Sequence, residues 1–357
     1  MPSSALRPFR HISRLIRPGA RARTRPLRLP AAAAALLATG CLAACTGAPA
    51  ASGPASSATA RSSIAPVSVR SCGVATTVAA PPKRLVTLNE GATEVALALG
   101  LQSRMAGTAY LDDTIPAKWK AAYDSVPVLS KEYPSKEKLL AARPDFLYAS
   151  YTSAFTGKVA GTRAELAAEH IGSYLSPFGC ADAKQVPTAS FEAVWGELAD
   201  IAAVFGVPQR AAAIERQQKT ALAALAAQGA GKGLDVLWYD SGTKSPYVGA
   251  GHGGPQTVLD AVGAHNVFGT LKGGWQNVSW EQVAAADPDA IVLADASWDS
   301  AAAKISYLEH DPVLSRLAAV RRRAFVVVPF SESTPGVLLA DGAARVAAGL
   351  AALPAAS

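Results

Sequence analysis

The chain has 357 residues, half of them hydrophobic, and a formal charge of +7 that suggests a basic protein with a polyanionic partner. Arg7, Arg10, Arg14, Arg17, Arg21, Arg23, Arg25 and Arg28 create that impression, because residues 1–44 contain no acid and no lysine. Removing these eight from the 34 basic residues leaves 26 against 27 acids, a near-neutral body without the electrostatic footprint of a nucleic-acid binder.

The first element is an export signal. Its basic run leads to an apolar core at about 29–38, too short to span a bilayer as a mature helix, and ends in Leu42, Ala43, Ala44 and Cys45. Small residues before a cysteine resemble the lipobox of bacterial lipoproteins. That resemblance implies cleavage of residues 1–44, lipidation of Cys45 and anchoring on the extracytoplasmic face of the cell membrane. No two of these arginines are adjacent, so a twin-arginine route has no support. Residues 45–70 are rich in Ala, Ser, Gly and Pro and read as a flexible tether, with the folded part beginning near Val67. Cys72 and Cys180 are then the remaining cysteines. In an exported protein they either pair or stand as independent thiols. The chain has no Cys-x-x-Cys motif, so redox chemistry is not expected.

Residues 84–88 form a short apolar, β-rich run, followed by Asn89, Glu90 and Gly91 and a helical stretch that stops at Gly100. Further strands are predicted near 104–107, 126–129, 146–149 and 171–175. Two helical patterns follow, 190–205 and 208–228, separated by Gly206 and Val207. The second lacks a breaker and reads as a rod between lobes. Strands return at 234–239, 290–294 and 325–328. An eleven-residue segment occurs twice at an offset of 144. Ser135, Glu137, Ala141, Ala142, Pro144 and Asp145 return as Ser279, Glu281, Ala285, Ala286, Pro288 and Asp289, each copy running into an apolar strand. The serine suits a helix cap, the glutamate the first turn and the proline the stop. Alternating strands and helices argue for parallel α/β sheets. The expected organisation is an N-terminal lobe over 71–187, a helical segment over 188–230 and a C-terminal lobe over 231–357.

Residues 84–101, the two Ser-x-Glu…Pro-Asp segments, the stretch 275–281 and the stretch 319–329 together resemble the substrate-binding proteins of ABC importers for ferric siderophores and vitamin B12, the periplasmic-binding-protein family with a helical backbone. The resemblance spans about 72–350 and rests on the order and spacing of these motifs. It implies two Rossmann-like α/β lobes with parallel sheets, joined by a single long interlobe helix, with the ligand in the cleft between them. It also implies one surface glutamate per lobe docking on arginines of the permease, at positions matched here by Glu137 and Glu281. A monomeric binding protein without catalytic activity or resident cofactor is expected.

Ligands of α/β sheets bind beyond the carboxyl ends of the strands. The loops placed there carry Asn89, Glu90, Tyr110, Asp112, Asp113, Lys131, Glu132, Tyr133, Tyr151 and Phe155 in the first lobe. The second lobe adds Tyr239, Asp240, Ser241, Lys244, Tyr247, His252, Trp275, Asp295, Trp298, Asp299 and Glu332. The principal ligand candidates among them are Asn89, Glu90, Tyr110, Asp112, Tyr133, Tyr151, Asp240, Ser241, Trp275 and Trp298. Aromatic walls with a few polar groups suit a large, partly apolar ligand. Eight acids against two lysines and no arginine speak against a strongly anionic catecholate complex. The favoured ligand is a neutral or cationic ferric siderophore of hydroxamate type; the alternative is a corrinoid or haem. Bare metal is not expected, since His252 is the only histidine on these loops. Gly251, His252, Gly253 and Gly254 are similar to the oxyanion loop of esterases, but no Gly-x-Ser-x-Gly elbow accompanies them, and a hydrolase remains the remote reading.

Overall fold

A computed structural model describes residues 65–353. The expected signal peptide, the lipidation site Cys45 and the tether up to residue 64 lie outside the described residues. Strand begins at Val67, where the folded part is expected to start, so residues 67–70 belong to the fold and not to the tether. Val67 and Val69 alternate with polar residues in β1 (Val67–Ser71), which pairs antiparallel with β2 (Val74–Val78). Arg163 holds this hairpin to the lobe, donating to the Ser71 carbonyl and to Ser173. A Cys72–Cys180 disulfide ties its turn to the loop after residue 176.

The first lobe continues through β3 (Leu85–Leu88), α1 (Glu90–Ala98), β4 (Met105–Ala109), α2 (Lys120–Asp124), β5 (Val128–Ser130), α3 (Lys136–Ala141), β6 (Phe146–Ala149), α4 (Arg163–Ala168) and β7 (Gly172–Leu175). Its sheet runs β5-β4-β3-β6-β7 and is parallel throughout. Alternation sorts the strand residues onto two faces. Leu85, Phe146 and Tyr148 join the main core, while Val86, Leu88, Leu147 and Ala149 pack with Leu139 and Leu166 on the other side.

α5 (Phe191–Val204) and α6 (Pro208–Gln228) follow. Pro208 pre-forms the first turn of α6, and Gly229 at φ +59 ends it. At 21 residues α6 is about 31 Å long. It packs on α5 on one side and on two helices of the second lobe on the other.

That lobe comprises β8 (Asp235–Ser241), β9 (Tyr247–Gly249), α7 (Gly254–Val262), β10 (His265–Asn266), β11 (Trp275–Asn277), α8 (Trp280–Ala286), β12 (Ala290–Asp295), α9 (Ala301–His310), α10 (Ala318–Arg321), β13 (Phe325–Pro329) and α11 (Leu339–Ala351). β8, β12 and β13 form the parallel centre, and β10 also runs parallel to β8. β9 and β11 run antiparallel, so this sheet is mixed. The cause is local: the link from Ser241 to Tyr247 is too short for a crossover and turns back through Gly242 at φ +83.

The sequence repeat has the same local structure twice. Ser135 caps α3 by accepting from the Lys138 N–H, and Ser279 caps α8 in a reciprocal box with Gln282. Before each proline the chain leaves the helix through a positive φ, +48 at Arg143 and +39 at Asp287. Asp145 accepts the N–H groups of Lys83 and Arg84 at the entry to β3. Asp289 accepts that of Asp235 at the entry to β8. The repeated Ser, Pro and Asp are therefore structural; Glu137 and Glu281 are exposed in the first turns of α3 and α8.

Candidate functional site

A cleft of about 420 Å3 opens between the lobes, within the size range of small-molecule sites. The first lobe reaches it from the carboxyl ends of its strands: Glu90, Gly91, Glu94 and Val95 after β3, Asp112 after β4, Ser150 and Tyr151 after β6, and Ser176 and Phe178 after β7. Val186, Pro187, Ala189 and Glu197 close the back. The second lobe supplies Asp240, Tyr247, His252, Gly253, Gly274, Trp275, Phe330, Ser331, Thr334, Pro335 and Gly336.

Of the principal sequence candidates, the cleft brings together Glu90, Asp112, Tyr151, Asp240 and Trp275. Asn89, Tyr110 and Tyr133 form a support behind it. Asn89 is fully buried at φ +76 and donates to the Tyr133 hydroxyl at 3.0 Å. Tyr110 meets the Tyr133 ring edge-on at 4.6 Å. Ser241 is turned to the Asp240 carboxylate, to which it donates at 3.0 Å. Trp298 is 56% exposed and packs edge-to-face on Phe330, itself a cleft residue. Glu94 and Glu197 escaped the reading of the loops because both lie on helices.

The electrostatics are one-sided. Five acids line the cleft, Glu90, Glu94, Asp112, Glu197 and Asp240, with no lysine or arginine among the lining residues. Glu90 and Glu94 lie one turn apart on α1 and are 3% and 2% exposed. The Asp113 N–H donates to Glu90 Oε2, while Oε1 of both glutamates has no protein partner. Burial pushes Glu90 up to about 8, helped by the charges of Asp112 and Asp113, and raises Glu94 well above the carboxylate range, helped by Glu90. Burial also raises Glu197 to about 7, against hydrogen bonds from Tyr148 (2.6 Å) and Ser176 that favour its charge. Asp112 is raised by burial and steadied by the Glu90 N–H and the Tyr151 hydroxyl. Asp240 is raised by burial, with Ser241 and Lys304 opposing.

The second lobe's wall is largely backbone. A Cβ on Gly253 would stand 2.4 Å from the Gly274 carbonyl oxygen, so only glycine permits this approach. Ala250, Gly251 and His252 donate their N–H groups to Gly274, Leu271 and Gly273 at 2.9–3.0 Å. These amides, which an oxyanion hole would need free, are spent on holding two loops together. Trp275 presents an indole N–H without a protein partner at this wall. Among the described residues no group of three or more His, Cys, Asp or Glu could hold a metal ion.

Two α/β lobes bridged by helices, with a cleft at their strand ends, define a solute-binding architecture. The family model described as periplasmic binding protein matches residues 85–332, and the chain belongs to that family. Membership implies an extracytoplasmic solute-binding protein. A periplasmic binding protein from Veillonella parvula is 28% identical, with a TM-score of 0.69, over 81% of this chain and 99% of that one. An ABC-type Fe3+-hydroxamate transport protein from Saccharomonospora viridis shares 23% identity and a TM-score of 0.67 over 80% and 99% of the two chains, a likeness of fold. A periplasmic heme-binding protein from Pseudomonas aeruginosa is 25% identical, with a TM-score of 0.60, over 77% and 95%. No curated protein matches the chain.

Proposed function

We propose that the protein is a lipoprotein, anchored through Cys45, that captures a neutral or cationic ferric siderophore, hydroxamate-type favoured, and delivers it to an ABC permease. The observation that carries this reading is the charge of the cleft: five lining acids and no lining lysine or arginine, beside the aromatic surfaces of Tyr151, Phe178, Trp275 and Phe330. A ferric tris-catecholate or the propionates of haem would bring negative charge into this acidic, partly desolvated space without a partner. A ferric trishydroxamate carries no net charge at its metal centre and presents an apolar rim to the aromatics. Likeness to the Fe3+-hydroxamate transport protein and the heme-binding protein supports an iron complex over other solutes.

Glu137 and Glu281 serve delivery. Both are exposed, at matching places in the two lobes. Its own backbone N–H and the Ser135 hydroxyl hold Glu137 below the usual carboxylate range, and the Ser279 hydroxyl and its own N–H do the same for Glu281, so both are charged at neutral pH. Docking two glutamates against permease arginines suits bidentate guanidinium–carboxylate pairing.

The test is titration of the full chain, followed by tryptophan fluorescence, with a ferric trishydroxamate, a ferric tris-catecholate, haem and a cobalamin. Saturable quenching by the hydroxamate at micromolar or lower concentration, without a response to the catecholate, is expected. Tight binding of the triply anionic catecholate overturns the charge argument, and a response to cobalamin alone moves the assignment to corrinoids.

A further inference from the structure

We infer that Glu90 and Glu94 form a subsite in the floor of the cleft for a cationic nitrogen, a terminal ammonium arm carried by the ligand. The inference rests on reading the cleft as the ligand site and adds a requirement on the ligand itself. Both carboxyls are buried, both line the cavity, and each leaves Oε1 without a protein donor. Their spacing of one helical turn directs both side chains to the same face of α1.

Charges already present around the pair do not neutralise it. Asp112 and Asp113 add negative charge beside Glu90. The charge of Lys118 acts on Glu94, but Lys118 is bound to Asp341 across the lobes. Glu332 is held by Arg345 through two hydrogen bonds, 2.6 and 2.8 Å. The remaining acid of the back wall, Glu197, has its own donors in Tyr148 and Ser176. Among the five lining acids, Glu90 and Glu94 are the two with a buried carboxylate oxygen that no protein donor reaches.

An unpaired carboxylate in such a place is costly, so the empty site keeps its protons. Burial pushes Glu90 up to about 8, so it is mainly protonated at neutral pH, and burial with the charge of Glu90 raises Glu94 in the same direction. An ammonium entering between them favours the charged forms and drives protons into solvent. An organic cation fits better than a bare metal. The pair offers only two unpartnered carboxylate oxygens, whereas hard divalent cations take six or more oxygen ligands. Val95 and Phe178 offer the apolar lining that an alkyl arm needs.

The test compares two ferric trishydroxamates that differ only at one end: linear ferrioxamine with a free terminal amine, and its N-acetyl derivative. Each is titrated into the full chain by calorimetry at pH 7 in two buffers of different ionisation enthalpy. The free amine is expected to bind at least about ten-fold more tightly and to release protons that the acetylated form does not. Glu90→Gln and Glu94→Gln should each shrink the affinity ratio and the proton release. Equal affinity and equal proton count for the two wild-type complexes overturn the subsite while leaving the hydroxamate reading intact. Failure of both complexes to bind removes the hydroxamate reading, and the subsite with it.

Discussion

The two lobes reach the same cleft by different means. In the first lobe, side chains from the ends of β3, β4, β6 and β7 point inward, and the acidic ones dominate: Glu90, Glu94 and Asp112. In the second, the wall is built from backbone brought close at Gly253 and Gly274, with Trp275 and Phe330 set upon it. The first lobe is also closed covalently by Cys72–Cys180, beside the loop that carries Ser176 and Phe178. Charge is thus presented from a stapled scaffold and shape from a tightly packed one. Buried acids need a rigid surround, because any loosening admits water and relaxes the constraint that keeps them unpaired.

The largest expected effect comes from releasing the staple. The Cys72→Ser, Cys180→Ser double variant opens a loop of 108 residues. It should lose about 4–5 kcal/mol on the chain-entropy model. Urea unfolding measures the loss, and hydrogen exchange should place the loosening in the first lobe. Equal loosening of the second lobe would show that the two do not differ in this way.

The acids come next. For Glu90 the folded protein prefers the protonated form up to about pH 8, whereas the unfolded chain ionises near its ordinary value of 4.5. The native state therefore binds more protons between these limits, and stability falls as pH rises through the window. The slope is about 1.4 kcal/mol per pH unit for each group so shifted. Glu197, raised to about 7, acts in the same direction over a narrower range. Unfolding of the empty protein at pH 5, 6.5 and 8 should show this decline, flattened in Glu90→Gln. A rise in stability towards pH 8 contradicts the burial argument.

Gly253→Ala tests the second lobe. Its new methyl meets the Gly274 backbone, so a cost of about 1–3 kcal/mol is expected, with weaker ligand binding. The control is Gly196→Ala in α5, where a Cβ has open space and helix propensity predicts a gain of about 0.5–1 kcal/mol. Similar outcomes for the two variants would remove close approach as the reason for Gly253. The smallest effect on the isolated protein belongs to Glu137→Ala with Glu281→Ala. Unfolding and ligand affinity should stay unchanged, while uptake with the reconstituted permease is lost. Undiminished uptake would end the docking role.

Much of the architecture was legible because it follows local rules. The repeated Ser, Pro and Asp announce a capped helix, its stop and a stitched strand, and the structure uses them that way in both lobes. Pro208 and Gly229 bound α6 where the sequence places them. The mixed character of the second sheet is not legible in the sequence because β9 and β11 are only three residues each and β11, Trp-Gln-Asn, is not an apolar run. At the site, reading loops for aromatics and acids found Glu90, Asp112, Tyr151, Asp240 and Trp275 in the cleft. It also gathered Asn89, Tyr110 and Tyr133, whose hydrogen bonds and ring contact turn them towards one another. Glu94 and Glu197 lie within helices α1 and α5, outside the loops at the strand ends. Their signal was available: each is a glutamate inside a mainly apolar helical run, and their burial makes them costly anywhere but at a site. The lining residues Val186, Pro187 and Ala189 belong to an irregular link between lobes that no periodicity marks.

The most direct measurement is a crystal structure of the protein with a bound ferric trishydroxamate bearing a terminal amine. The account predicts the iron complex in the interlobe cleft, its rim against Trp275 and Phe330, and its ammonium nitrogen within hydrogen-bond distance of Glu90 and Glu94. A complex seated elsewhere on the molecule, or one in the cleft with its amine turned out to solvent, would contradict it.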